Sequence, residues 1–471
     1  MSVHRFRASV QVDQPPEVVF GWHERAGAIE RLTPPWQPVR VVARRGGIRD
    51  GDRVTMRVRV AGLQVTWVAE HRDYVAGQRF RDVQLHGPFR RWEHTHRFEP
   101  TEAGGCVMTD EIEYELPGGA LGDRLGEAYA EQRLQRVFAW RHALLARDLA
   151  MHRDWAGGRR ISVLMAGASG LVGSALLPLL TTGGHRVFRL VRREPTAADE
   201  IAWSPNRGEL DGAALAGVTA GDGEAGVDAV VNLAGEPVFA RWTGARKRRI
   251  RDSRVMTTRT LAGAVAGAAG LERRPAVMLN ASGVNAYGDR GQERVDESSE
   301  RGTGFLAETC RAWEGETQRA ADAGVRVVLA RFGIVLSPAG GAIANMLPIF
   351  RLGLGGRLGG GGQWWSWISL EDAARAIYFA LVNDALAGPV NVVSPGAVTN
   401  QQFTRSLGRT LGRPTMLPAP AMALRLALGQ MAQETMLASM RVAPARLAGA
   451  GFDWVHAELD GALADLLGRP G

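Results

Sequence analysis

Residues 161–173 read Ile-Ser-Val-Leu-Met-Ala-Gly-Ala-Ser-Gly-Leu-Val-Gly, and this stretch decides the fold of most of the chain. Ile161 to Met165 is a short apolar strand. Gly167, Gly170 and Gly173 then form a GxxGxxG turn, and Ser174 to Leu180 reads as a helix. Strand, glycine turn and helix in that order is the setting a dinucleotide fingerprint needs. Glycine allows the tight turn, close backbone approach to the pyrophosphate and close helix packing. The first N–H groups of the helix then meet the phosphates. Gly167, Ser169, Gly170, Leu171, Val172 and Gly173 are therefore the first candidate cofactor contacts. The next strand, Arg186 to Val191, arrives at the distance such a unit requires and ends in Arg192-Arg193. An NAD-specific domain usually carries an acidic residue there, whereas arginine suits a 2′-phosphate, so NADP is favoured over NAD. Two surface arginines in an arginine-rich chain is the competing reading.

Further strands follow in the same rhythm. Asp228 onward runs into Asn232-Leu-Ala-Gly235, Ala276 onward ends in Ser282 with Tyr287-Gly288 beyond it, and Val325 to Ala330 leads to Arg331. Strands alternating with helices predict an α/β architecture with a doubly wound parallel sheet. Ligands in such sheets sit at the carboxyl ends of the strands, which adds Asn232, Ala234, Gly235 and Arg331 to the candidate cofactor residues. The run Arg241 to Arg254 holds seven bases. On a helix Lys247, Arg251 and Arg254 share one face, able to hold a cofactor phosphate or an anionic substrate, or simply to be solvated. Gly353 to Gln363 is glycine-rich, but no strand immediately precedes it and no helix opens within it, so it is no second nucleotide loop. Trp364, Trp365 and Trp367 after it read as packing residues.

These residues resemble the extended short-chain dehydrogenase/reductase superfamily, of the NAD-dependent epimerase/dehydratase type. Asn232 to Pro237, Arg241-Trp242-Thr243, Ser282 with Tyr287-Gly288, Phe305-Leu-Ala with Trp313-Glu314, Gly359 to Trp367 and Arg413-Pro414 narrow the match to the YfcH/SDR39U1-type epimerase family. That family carries a small C-terminal domain, DUF1731, matched by about Val398–Leu467. The resemblance implies a Rossmann domain over 161–397 and a C-terminal region over 398–471 completing the substrate cleft. It also implies a Ser, Tyr and Lys chemistry with Tyr-x-x-x-Lys on one helix. The chain's one lysine, Lys247, precedes the serine strand, where the dyad should follow it. Aligning Glu314 with the superfamily's trailing glutamate puts Leu306 and Cys310 at the Tyr and Lys places, so the dyad is absent. Ser282 with Tyr287 or Cys310 as a non-standard acid/base is one reading; NADP(H) binding without turnover is the other. Cys310 also reads as a small buried hydrophobe.

The first 151 residues have a different pattern, and 152–160 reads as a linker. Val3–Val12 predicts a strand, Pro15-Pro16 opens a short helix over Glu17–His23, and a second short helix covers Ala28–Leu32. Six strands follow: Val39–Ala43, Arg53–Val60, Gln64–Arg72, Gln78–Leu85, Arg90–Glu99 and Val107–Glu115. A long helix over Leu121–Met151 carries Leu125, Tyr129, Leu134, Phe138, His142 and Leu145 at helical spacing. This order resembles the SRPBCC (START-like, polyketide cyclase) superfamily, an α+β helix-grip fold, which implies a mostly apolar cavity for an apolar ligand. Seven of the ten histidines fall in this part. His94 and His96 share a strand face, but two histidines two apart lack a third ligand, so no metal is expected.

Composition excludes other classes. With 471 residues the chain has room for two to four domains of about 100–200 residues. The net charge of +8 is shared evenly between 1–160 and 161–471, with no basic arm or tail, so nucleic acid is not an expected partner. Cys106 and Cys310 cannot build a disulfide framework. No apolar run reaches the roughly 18 residues of a membrane span, and no signal-peptide pattern opens the chain, so a cytoplasmic protein acting on a small molecule is expected.

Overall fold

The structure, a computed structural model, describes residues 2–37, 39–60, 62–210, 226–268 and 274–469, the side chains of 119–122 and 125 excepted. The chain divides into two compact units, Met1–Arg160 with Pro178–Gly184, and Ile161–Leu177 with His185–Gly471.

In the first unit, β1 (His4–Val12), β2 (Arg40–Arg45), β3 (Arg53–Val60), β4 (Leu63–Val75), β5 (Arg79–His86), β6 (Arg91–Pro100) and β7 (Cys106–Glu115) form one antiparallel sheet. Its order is β1-β7-β6-β5-β4-β3-β2. Two short helices, α1 (Pro16–Glu24) and α2 (Ala28–Arg31), follow β1, with Pro16 in the first turn of α1, where a missing N–H costs nothing. Helix α3 (Gly119–Ala156) packs on β1. Phe138, His142 and Leu145 of its predicted stripe are buried, Tyr129 is exposed, and the side chain of Leu125 lies outside the described residues. The stretch read as a linker from 152 is helical as far as Ala156, and Gly157 in the left-handed region ends the helix. The interior is less apolar than the superfamily resemblance implied. His23, His71, His94, His96 and His142 are buried there together with Asp110, beside the buried Arg31–Asp148 pair.

In the second unit, β8 (Ser162–Ala166), β9 (Arg186–Val191), β10 (Glu200–Ala202), β11 (Ala229–Asn232), β12 (Val277–Gly283), β13 (Arg326–Phe332) and β14 (Gly388–Val392) pair in parallel throughout, in the order β10-β9-β8-β11-β12-β13-β14. The first strand lies inside the sheet, so the order reverses beside β8, and the crevice at that switch point is where a ligand binds. Every residue of β8 and β11 is buried, as a sheet covered on both faces demands. The helices that carry the site are α4 (Leu171–Thr182), α5 (Gly244–Gly267) and α6 (Phe305–Gly315). Thr243 caps α5 by accepting from the Arg246 N–H at 3.2 Å. Trp365 and Trp367 pack in a core with Phe403 and Leu463, as the packing reading expects. No helix of the described residues is long and apolar enough to cross a membrane.

Candidate functional site

The glycine turn forms the floor of a cleft of about 400 Å³. Gly167 sits at φ +85, and a Cβ there would stand 2.7 Å from the Leu233 carbonyl carbon. A Cβ on Gly173 would stand 2.2 Å from the Gly167 carbonyl oxygen, so the first turn of α4 can lie on the loop only without a side chain. Gly170, Leu171 and Val172 also line the cleft, while Ser169 is exposed at the turn. Leu233, packed against Gly167, and Gly235 line the cleft too. Asn232 and Ala234 act from behind. The Asn232 amide donates to Thr258 Oγ1 at 2.9 Å and Asn280 Oδ1 at 2.8 Å, and its own oxygen accepts from the Ala234 N–H at 3.2 Å. Asn232 is fully buried, so it shapes the loop rather than reaching a ligand through its side chain.

Ser282, at the carboxyl end of β12, lines the far wall together with Leu306, Cys310 and Trp313 of α6. Its hydroxyl donates to Glu314 Oε1 at 2.6 Å. Glu314 also accepts from Arg331, Nε to Oε1 and Nη2 to Oε2, both at 3.0 Å, and from Arg301 at 2.5 Å. Burial opposes charge on Glu314, but the hydrogen bonds and charge of Arg331, with Ser282 and Arg301, outweigh it and hold the carboxyl below its usual range. Arg331 gives its last contact to the Tyr287 hydroxyl at 3.0 Å, and Tyr287 in turn donates to Asn391 Oδ1 at 2.8 Å.

Several sequence expectations are corrected by this geometry. Arg331 is only 2 % exposed and is engaged by Glu314 and Tyr287, because a buried guanidinium must be paired, so it is no phosphate contact. Tyr287 is fully buried with its hydroxyl occupied, and burial raises its pKa, so it has no proton to exchange with a ligand in the cleft. Lys247 does not line the cleft; it hydrogen-bonds Gln430 and lies over the Phe305 ring, 5.3 Å from its centroid. Its predicted partners on the basic face diverge too. Arg251 is exposed, while Arg254 lines the cleft and donates to the Glu236 and Ile250 carbonyls at 2.9 Å. Cys310 does face the cleft, but burial pushes its thiol up, so it is a neutral group and no thiolate nucleophile. Of the arginine pair after β9, Arg193 is held by Glu200 at 2.7 Å, whereas Arg192 is exposed and has no hydrogen bond or ion pair among the described residues.

Sequence reading missed a second pocket of about 370 Å³ that shares Asn285 and Leu306 with the cleft. Arg290, Arg301 and Glu434 line it. Glu434, from the C-terminal region, accepts from the first N–H groups of α6, Phe305 at 3.1 Å and Leu306 at 2.8 Å. A carboxylate there complements the positive end of the helix. Nothing local in sequence links residue 434 to residue 305.

Comparison with known proteins gives this geometry its family. Residues 163–393 match the NAD dependent epimerase/dehydratase family, 419–466 the domain of unknown function DUF1731, and 12–138 the polyketide cyclase / dehydrase and lipid transport family. The epimerase family protein Mb2239 of Mycobacterium bovis is 46% identical over 310 residues, 66% of this chain and 98% of its own. Human epimerase family protein SDR39U1 is 33% identical over 309 residues, 65% of this chain and 99% of its own. Among solved structures, the nucleoside-diphosphate sugar epimerase from Corynebacterium glutamicum is 34% identical with a TM-score of 0.77, covering 98% of this chain and 90% of that one. Human SDR39U1 isoform 2, solved with NADPH, is 30% identical with a TM-score of 0.58, covering 66% of this chain and all of that one. With a glycine turn at the sheet's switch point, a serine across the cleft and these relatives, the chain belongs to the SDR39U1-type, NAD(P)-dependent epimerase family, with a polyketide-cyclase-like domain ahead of the epimerase domain and DUF1731 behind it.

Proposed function

We propose that the chain binds NADP(H) along the glycine turn and acts as an epimerase or oxidoreductase on a small molecule held in the adjoining pocket. The observation that carries this reading is the single cleft that has Gly167–Gly173 on one side and Ser282 with Cys310 on the other. The nicotinamide, when bound, supplies a hydride donor or acceptor. Ser282 directs its proton to Glu314, which leaves the lone pairs of Oγ to accept from a substrate hydroxyl and orient it. Glu314, kept ionised by its arginines, fixes that direction and is a weak base. Leu306 and Cys310 give the cleft an uncharged wall where the superfamily's dyad would stand. Arg301 keeps a buried Nη1 without a hydrogen-bond partner among the described residues, a donor for an acceptor oxygen on the substrate.

NADP(H) rather than NAD(H) is supported by the unpaired Arg192 and by the NADPH found with the human relative. Arg192→Ala is expected to weaken NADPH binding about tenfold, the equivalent of 1.4 kcal/mol, and to leave NADH binding within about twofold. Nicotinamide fluorescence titrations read both. An equal loss for the two cofactors would remove Arg192 from the 2′-phosphate site. A second reading, cofactor binding without turnover, is favoured by the missing dyad and by the commitment of the Ser282 proton to Glu314. NADPH consumption across a metabolite panel separates the two. Turnover abolished in Ser282→Ala supports the enzyme, and binding without consumption supports the sensor.

A further inference from the structure

The interior of the first unit gathers side chains that the nucleotide cleft does not use. Sheet register puts His71 on β4, Asp82 on β5 and His94 on β6 in one row, and sets Asp110 on β7 opposite His96. Alternation along β6 then turns His94 and His96 to the same inner face, and both are buried. Asp82 Oδ2 lies 3.4 Å from His96 Nε2 and 3.9 Å from His94 Nδ1. A ligand atom from each of the three lies within 4.8 Å of those of the other two. Bonds of about 2.0–2.2 Å to a tetrahedral ion hold neighbouring ligand atoms roughly 3.3–3.6 Å apart, and the two distances from Asp82 Oδ2 lie within a few tenths of an ångström of that range.

The atoms behind these ligands are already arranged for the task. His94 Nε2 hydrogen-bonds Asp110 Oδ1 at 2.8 Å, and His96 Nδ1 lies 2.8 Å from the same oxygen. Asp82 Oδ1 stands 2.9 Å from His71 Nε2. A carboxylate behind each ligating imidazole is what orients histidines on a metal and sets their tautomer. One buried donor-acceptor site of the cluster is left over: His23 Nε2 makes no hydrogen bond among the described residues. His23 is informative because its Nδ1 meets the Val19 carbonyl at 2.8 Å. A carbonyl only accepts, so Nδ1 carries the proton and Nε2 carries a free lone pair. Its ring lies 5.9 Å, centroid to centroid, from that of His96.

We propose that Asp82, His94 and His96 bind one divalent cation of the zinc and iron(II) class inside the first unit, with Asp110 and His71 positioning the ligands and His23 Nε2 offering an acceptor to a water on the ion. Two imidazoles and one carboxylate suit borderline metals better than magnesium or calcium, which prefer oxygen. Three protein ligands leave a coordination position open, and two carboxylates match the charge of a divalent ion. The third ligand was out of reach of the sequence reading, because it comes from the neighbouring strand, twelve residues before His94.

The full chain, free of any affinity tag, is stripped with a chelator and reloaded with zinc or cobalt(II), and bound metal is counted per chain. One ion per chain is expected. Asp82→Asn and His96→Gln are each expected to lower affinity at least about a hundredfold and Asp110→Asn about 10–100-fold, while the exposed His86→Ala leaves it unchanged. Circular dichroism checks that each variant is folded. X-ray absorption of the wild-type cobalt form reads the donors without any variant, and two imidazoles with oxygen donors are expected. A reloaded wild-type chain without a stoichiometric ion, a spectrum lacking the imidazole pair, or binding that falls in His86→Ala and survives in Asp82→Asn would overturn the proposal.

Discussion

Replacing Arg331 with methionine is expected to destabilise the second unit by about 3–5 kcal/mol, because it strips a buried carboxylate of its two-pronged partner. Arg331 and Glu314 are 2 % and 4 % exposed and share two hydrogen bonds of 3.0 Å. Arg301 keeps its own bond to Glu314, which places the loss toward the lower end of that range. The pH dependence has a definite sign. In the native chain burial works against the Glu314 charge, Arg331 outweighs it, and the carboxyl titrates below its usual value. Its stabilisation is therefore present above the unfolded pKa and disappears as pH falls through the folded one. In Arg331→Met the deficit is expected to be largest at neutral pH and to shrink in acid, where a protonated Glu314 tolerates burial. The double variant with Glu314→Gln is expected to recover part of the loss, since no charge is then stranded. Urea unfolding at pH 7 and pH 5 reads all three, and a deficit under about 1 kcal/mol, equal at both pH values, would contradict the pairing.

Gly173→Val is expected to lower NADPH affinity roughly a hundredfold or more, equivalent to about 3 kcal/mol. The added Cβ would meet the Gly167 carbonyl oxygen at 2.2 Å and Ala168 Cα at 2.8 Å. Both are backbone atoms of the turn, so neither can yield without changing the surface that faces the cofactor. Far-ultraviolet circular dichroism separates this local effect from unfolding. NADPH affinity within threefold of the native chain would mean that the cofactor does not rest on this turn.

What could be read from sequence was the part written in local patterns. The strand, glycine turn and helix of 161–180 are local, and so are the seven alternating strands of the first unit, whose predicted ends fall within a few residues of those observed. Glu314, Leu306 and Cys310 were placed by the superfamily resemblance, and all three stand at the Ser282 wall. Lys247 shows where local pattern fails, because helical spacing names a face but not what lies opposite, and here Gln430 does. Arg331 and Tyr287 fail for a related reason. Strand ends at a parallel sheet's carboxyl edge point both into the cleft and into the core, and pairing with Glu314 and Asn391, which decides between them, is non-local. Asp82 beside His94 and His96 is a register fact, visible only once β5 and β6 are paired.

Hydrogen–deuterium exchange of the chain with and without NADPH locates the cofactor on the chain. Protection is expected in the amides of 167–173, in 233–238 and around Ser282 and Gly283, which together line the one cleft. Protection absent from 167–173 would contradict cofactor binding along the glycine turn.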